Sequence, residues 1–117
     1  MSGGSMDYIS YKIEEAADRM KTEIQYIEDD VKENGLRNFE PHPIYAEKYD
    51  IPEFKSAEAL YKAVMEKLRE GERYLRLAAI YSHRAEWLFS SDDGYDSFFV
   101  RLVGDLKKGV SESATQP

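Results

Sequence analysis

The chain contains no cysteine, and this absence removes several kinds of chemistry at once. Thiol catalysis, disulfide cross-links and cysteine-ligated zinc are all excluded. A chain without disulfides fits the reducing interior of the cell, so we expect a cytoplasmic protein. The sequence also lacks a run of about 20 apolar residues, which a membrane-spanning helix requires. We therefore expect no membrane contact.

The chain also has fewer basic residues than acidic ones. The 117 residues include 16 Lys and Arg against 23 Asp and Glu, which gives a formal net charge of -7. Most of such a surface repels the phosphates of nucleic acids. We therefore do not expect a nucleic-acid partner, although an acidic protein can still carry a local basic patch.

Histidine is scarce, with two residues in the chain. A di-metal centre in a helical bundle requires Glu-x-x-His on two helices, and the sequence has no such motif. The segment DDGYD at residues 92–96 lacks the Asp-x-Asp-x-Asp-Gly spacing and the terminal Glu of a calcium loop. A glycine-rich phosphate loop is missing too. We expect no metal and no other cofactor.

What the chain does contain is typical of one soluble globular domain. Hydrophobic residues make up 42% and charged residues 33% of the sequence, far from the proportions of disordered chains. Residues 1–5, MSGGS, are interpreted as an expression scar ahead of a start at Met6. We expect a single helical domain over residues 6–110 and a disordered tail over residues 111–117.

Apolar residues near the start of the chain recur at helical spacing. Steps of three and four residues predict a helix over residues 6–34, and every eleventh residue returns to the same place on its surface. Asn34 and Gly35 are typical of a helix C-terminus. The predicted packing stripe consists of Ile9, Ile13, Ala16, Met20, Ile24, Ile27 and Val31.

Residues 36–54 have a different character because prolines interrupt them. Pro41, Pro43 and Pro52 bias the residues before them toward extended conformations. The segment is also rich in aromatic and aliphatic residues, which makes it too apolar for a solvated linker. We predict an ordered, extended strap of proline and aromatic residues between the first and second helices, and its sequence allows one helical turn near residues 44–49.

Helical spacing returns over residues 56–90, with Ser56 as the N-terminal cap. Gly71 leaves two alternatives open, because it can end a helix or lie inside a longer one at a cost of about 1 kcal/mol. A further amphipathic helix is predicted over residues 94–109. The fold class is therefore all-α, a small bundle of three helices, or of four if Gly71 breaks the second. The seam of the second helical region is Leu60, Val64, Leu68, Gly71, Leu75, Ala78, Ser82, Ala85 and Phe89. The apolar face of the last helix is Tyr95, Phe98, Phe99, Leu102, Val103, Leu106 and Val110.

Arg76 and His83 are seven residues apart, so they lie on one side of a helix. A histidine can move the proton of an RNA 2′-hydroxyl while an arginine stabilises the phosphorane charge. The spacing Arg76-x6-His83 resembles the Arg-x4–6-His element of the HEPN ribonucleases, which are small helical dimers. Leu77 stands where those proteins usually have a polar residue. The resemblance implies, as one alternative, a ribonuclease that uses Arg76 and His83. The other interpretation is structural, with Arg76 paired to Glu72 and His83 packed beside the seam.

Aromatic residues are numerous, with nine Tyr, five Phe and one Trp. A second apolar stripe runs beside the seam, and a bundle of so few helices leaves one of the two stripes uncovered unless the strap covers it. Tyrosine is enriched at protein interfaces, and small residues let another helix approach closely. Our principal expectation is a non-enzymatic interaction module that forms a homodimer or binds another protein. The predicted partner-binding residues are Tyr74, Leu77, Tyr81 and Leu88 of the second stripe, with the small residues Gly71, Ala78 and Ala85.

The first predicted helix is strongly acidic, and this supplies a third alternative. Such a face is ordinarily solvated, but it can also dock a basic partner as an inhibitor or a nucleic-acid mimic. The carboxylates concerned are Glu14, Glu15, Asp18, Glu28, Asp29, Asp30 and Glu33.

Overall fold

A computed structural model describes the backbone of residues 9–90 and 92–115 and the side chains of residues 9–90 and 92–108. Within these ranges the chain forms α-helices and short 3-10 turns without any strand. The prediction of an all-α fold is therefore confirmed. The helices are α1 (Ile9–Asn34), α2 (Pro43–Lys48), α3 (Ala57–Phe89) and α4 (Tyr95–Thr115), and the 3-10 turns are Arg37–Phe39 and Pro52–Phe54.

The chain divides into two compact units, and the single domain over residues 6–110 stays a prediction. The terminal unit comprises Met1–Ala17 and Arg73–Pro117, and the central unit comprises Asp18–Glu72. The predicted expression scar and the last two residues of the predicted tail lie outside the described residues. The helix α4 continues to Thr115, past the end expected near residue 109, and takes in positions that were assigned to the tail.

Helix ends follow the local sequence closely. Gly35 has a positive φ of 77°, and its N–H donates to the carbonyl oxygen of Val31 at 2.9 Å. This left-handed residue ends α1 as Asn34-Gly35 predicted. At the start of α3, the hydroxyl oxygen of Ser56 accepts a hydrogen bond from the Ala59 amide at 3.0 Å. Ser56 is thus the cap that the sequence predicted.

Gly71 does not break α3, which is continuous from Ala57 to Phe89. A Cβ atom added at Gly71 would lie 3.2 Å from the Cε atom of Met20, on α1 of the same central unit. The missing side chain therefore leaves room for the methionine. This contact gives an interior glycine a packing role that offsets part of its helix-propensity cost.

The strap contains α2 where a helical turn was allowed near residues 44–49, and the two 3-10 turns add helical structure that was not predicted. Pro43 occupies the first turn of α2, where a proline has no amide hydrogen to lose and its φ suits a helix. His42 caps this helix by accepting a hydrogen bond from the Ile44 amide at 3.2 Å. In the central unit the strap also packs its Phe39 edge-on against Tyr61 of α3, with ring centroids 5.0 Å apart.

Six of the seven predicted stripe residues of α1 are buried or half-buried, but the most deeply buried positions differ from the prediction. Ser10, Ala17 and Ile24 are buried, whereas Ala16 is exposed. These buried residues are seven apart, so α1 follows a heptad repeat and not the predicted repeat of eleven. A stripe of apolar residues alone does not include the polar Ser10.

Similar corrections apply to α3 and α4. Met65 and Ala79 are the buried apolar residues of α3, while Ala78 and Phe89 of the predicted seam are exposed. On α4, Leu102 is buried and Phe98, Val103 and Leu106 are half-buried, but Tyr95 and Phe99 are largely exposed. Val110 lies outside the described side chains. The apolar faces are thus wider than the neighbouring helices cover.

No helix in the described part of the chain combines the length and apolarity that crossing a bilayer demands.

Candidate functional site

In the terminal unit, α3 is held by polar contacts on two sides. The carboxylate of Glu86 accepts hydrogen bonds from the amide and the hydroxyl of Ser10 on α1, at 3.0 and 3.2 Å. The guanidinium of Arg84 donates two hydrogen bonds to Asp105 on α4, at 2.6 and 3.3 Å. Residues two apart project about 200° from each other around a helix. Hence α1 and α4 contact α3 from nearly opposite sides, and two faces of α3 lie between them.

The contact between Arg84 and Asp105 has a clear electrostatic signature. The hydrogen bond from Arg84, with its positive charge, lowers the pKa of Asp105, and burial only partly opposes this effect. Weaker attraction from His83 and Lys108 acts in the same direction. The same hydrogen bond raises the pKa of Arg84. The pair is therefore fully ionised near neutral pH and joins α3 to α4.

A second ion pair organises the start of α4. The Asp93 side chain is only 2% exposed, and its Oδ1 atom accepts from Arg101 and from the Ser97 hydroxyl, each at 3.0 Å. The first backbone hydrogen bond of the helix runs from Phe98 to the Gly94 carbonyl oxygen at 2.9 Å. Asp93 thus anchors the first turns of α4 from inside the hairpin that α3 and α4 form.

One face of α3 between the two polar contacts carries Tyr74, Ala78, Tyr81 and Ala85, and we call it the tyrosine face. Tyr74 is 58% exposed and Tyr81 is 51% exposed, and Ala78 is exposed between them. From Tyr74 to Phe89 this face has no charged residue, in a chain of which 33% is charged. Uncharged helical faces of this length are normally buried.

Of the other predicted partner residues, Leu77 and Leu88 lie at the edge of the tyrosine face. Leu77 and Leu88 are half-buried, on the α4 side of the tyrosine face, and Ala85 is half-buried at its centre. Gly71 belongs to the central unit, where a Cβ atom added to it would lie close to the side chain of Met20. The structure therefore brings four of the predicted residues onto one face and assigns Gly71 to an internal contact.

The opposite face of α3 carries Arg76, Ile80, His83 and Trp87, and we call it the histidine face. Arg76 and His83 share this face, as their spacing predicted, and both are half-buried. The His83 ring packs edge-on against Trp87, with centroids 5.9 Å apart and planes at 62°. This agrees with a packing role for His83. The catalytic role of the pair stays a prediction.

The acidic residues of α1 are partly engaged in local contacts. Glu28 pairs with Arg69 of α3 in the central unit, Asp29 accepts from Gln25, and Asp30 accepts from Asn34 and Asn38. Glu14, Glu15, Asp18 and Glu33 are exposed. Within the described ranges, no three His, Asp or Glu side chains come close enough together to hold a metal ion.

Sequence reasoning missed the four polar residues that orient α3, namely Ser10, Glu86, Arg84 and Asp105. A signal for them existed. Glu86 falls seven residues after the buried Ala79 and Ser10 seven before the buried Ala17, so each continues a buried heptad position with a polar side chain. Polar residues in such positions usually have a partner.

Comparison with protein-family models, with curated proteins and with solved structures finds no match to this chain.

Proposed function

We propose that this protein is a non-catalytic helical interaction module that self-associates through the tyrosine face of α3. The observation that carries this proposal is a face about three turns long without a charged residue, on which Tyr74 and Tyr81 expose more than half of their surface. Exposed apolar patches of this kind mark interaction surfaces. Tyrosine contributes a large contact area at a small cost in conformational entropy.

The chemistry of the face supports binding over catalysis. Its side chains are phenol rings, methyl groups and, at the edges, leucines, with no histidine or carboxylate among them. Histidine and carboxylate side chains are the most frequent general acids and bases. A phenol ring presents an apolar body and a hydroxyl, so Tyr74 and Tyr81 are suited to an interface whose rim remains wet.

Few apolar side chains are deeply buried in the single chain, which also supports association. The described residues that are both apolar and buried are Ala17, Ile24, Met65, Ala79 and Leu102. Two of these are alanines, and no large side chain is below 2% exposure. A domain of about this size normally encloses most of its large apolar residues. Association at the tyrosine face would bury further apolar surface of the terminal unit.

The proposal is tested by solution mass and by one pair of matched variants. Light scattering should give a mass near twice the 13.5 kDa of one chain. Tyr81→Asp should shift the protein to a monomer, because association would bury an unpaired carboxylate. Tyr26→Asp is the control, since Tyr26 is 64% exposed on α1 of the central unit. A wild-type protein that stays monomeric at high micromolar concentration contradicts the proposal, as does equal loss of mass in the two variants.

A further inference from the structure

We infer that the second copy docks on the tyrosine face in the antiparallel direction, so that each tyrosine packs on an alanine of the partner copy. This inference rests on the proposed self-association and adds its geometry. It is carried by the order of large and small side chains on the face, together with its lack of charge and its exposure.

The tyrosine face alternates in size along the helix. Its residues run large, small, large, small as Tyr74, Ala78, Tyr81 and Ala85, with steps of 4, 3 and 4. The steps of 4, 3 and 4 are the same when the helix is read from either end. The order of sizes is not, because from the other end it becomes small, large, small, large. When two such helices run antiparallel about a two-fold axis, Tyr74 therefore faces Ala85 and Ala78 faces Tyr81, with the same pairs repeated by symmetry.

Parallel packing would place each residue opposite itself. Tyrosine would then lie opposite tyrosine, and alanine opposite alanine. The tyrosine pairs would be crowded, and the alanine pairs would leave voids between the helices. Well-packed helix interfaces match large side chains to small ones across the interface and leave no such voids. The antiparallel arrangement lets the axes approach to about 8 Å, the short end of the range for packed helices.

Electrostatics also favours a second copy at this face. Each chain carries a formal net charge of -7, so contact between most parts of two chains brings like charges together. The tyrosine face has no charge to repel its counterpart. The guanidinium of Arg73, which precedes Tyr74 in the chain, lies 6.0 Å from the centre of the Tyr74 ring. A two-fold contact uses the same patch on both copies, as most homodimers do.

The absence of cysteine makes the direction of packing directly measurable. We would prepare Tyr74→Cys and Ala85→Cys as single variants, mix them, and oxidise the mixture mildly. In the antiparallel dimer the two new thiols face each other in the mixed pair. Residue 85 of one copy lies opposite residue 74 of the other, so the two copies of residue 85 are separated by 11 residues along the contact. This distance is about 17 Å, which is too long for a disulfide.

The expected result is a disulfide between the two different variants that forms at least about tenfold faster than either symmetric disulfide. Mass spectrometry distinguishes the three products, because the two substitutions change the mass by different amounts. Symmetric disulfides at position 85 would indicate parallel packing and would overturn this inference while leaving self-association intact. A dimer that forms none of the three would overturn it as well, since the contact would then lie elsewhere. A wild-type monomer would overturn both proposals.

Discussion

The two open faces of α3 in the terminal unit differ in charge more than in apolar content. The histidine face includes Ile80 and Trp87, and Trp87 is 42% exposed, yet Arg76 and His83 interrupt it. The tyrosine face is more exposed, since Tyr74, Ala78 and Tyr81 are all exposed, and it has no charge at all. Exposed apolar residues are common on protein surfaces and carry little information by themselves. A long uncharged run between two contacted sides is unusual, and it separates the candidate interface from an ordinary surface.

The largest expected effect comes from placing an arginine on the tyrosine face and, as a control, on the histidine face. Ala85→Arg should weaken self-association on the order of 100-fold, because the guanidinium would be buried without a partner. His83→Arg on the histidine face should leave the association constant within about twofold, as expected for a site outside the interface. Sedimentation equilibrium measures the two constants, and circular dichroism verifies the helix content. Equal weakening by the two variants would remove the distinction between the faces.

The contact of α3 with α1 should be the largest contribution to stability among its polar contacts. Glu86→Ala removes the acceptor of both Ser10 hydrogen bonds, one of them from a backbone amide in the first turn of α1. Hydrogen bonds to a charged group contribute about 1.5 to 3 kcal/mol, so we expect the free energy of unfolding to fall by roughly 2 kcal/mol.

Urea unfolding measures this effect at one fixed protein concentration, with Trp87, the single tryptophan, as the fluorescent probe. Glu15→Ala is the control, because Glu15 is exposed on α1 and its loss should change stability by less than about 0.5 kcal/mol. Glu86→Gln keeps one acceptor oxygen, so its loss in free energy of unfolding should lie between those of Glu86→Ala and Glu15→Ala. An unchanged stability for Glu86→Ala would show that Ser10 finds another partner.

The contact of α3 with α4 should give the protein an acid-sensitive component of stability. Arg84 lowers the pKa of Asp105 in the folded state. The pair therefore stabilises the fold above the unfolded carboxyl pKa of about 4, and this stabilisation is lost as the pH falls through the lower folded value. We expect its loss to cost about 1 kcal/mol, as for a partly exposed ion pair of good geometry.

The test compares urea midpoints between pH 7 and pH 3 for the wild type and for Asp105→Asn. The variant should be less stable near neutrality, and its stability should decline less on acidification. Asp50→Asn is the control, because the Asp50 side chain is 93% exposed and its only described ion pair, to Lys55, is long at 3.5 Å. Identical pH profiles for wild type and Asp105→Asn would contradict the assigned role.

The smallest expected effect concerns Gly71 in the central unit. Gly71→Ala gains up to about 1 kcal/mol of helix propensity, but its methyl group would meet the flexible end of Met20 at 3.2 Å. We expect a net gain of a few tenths of a kcal/mol, measured by thermal unfolding. Gly104→Ala is the control, because nothing lies within 4 Å of its added methyl group. A larger gain at Gly71 than at Gly104 would contradict the packing role of Gly71.

Local features could be predicted from the sequence, because neighbours along the chain create them. The end of α1 at Gly35 depends on a residue that tolerates a positive φ, and the start of α3 depends on the hydroxyl of Ser56. The shared face of Arg76 and His83 follows from the helical repeat alone. None of these features requires a distant residue.

The inward side of each helix was predicted less well. Ala16 was expected inside where Ala17 is buried, and Ala78 was expected inside where Ala79 is buried. An error of one position rotates a helix by about 100°, and a broad apolar face allows rotations of that size. The contacts of Ser10 with Glu86 and of Arg84 with Asp105 select the rotation, and they join residues 76 and 21 positions apart.

The amino-acid sequence by itself determined that this protein is helical, where several helices begin and end, and which residues share a side of α3. Those properties depend on backbone propensity, capping and the helical repeat, which act over a few residues. Only the tertiary structure decided that α3 is contacted on two nearly opposite sides and that its tyrosines are left exposed between them. That outcome depends on which polar side chains meet across helices, and their meeting is governed by packing between segments far apart in the chain.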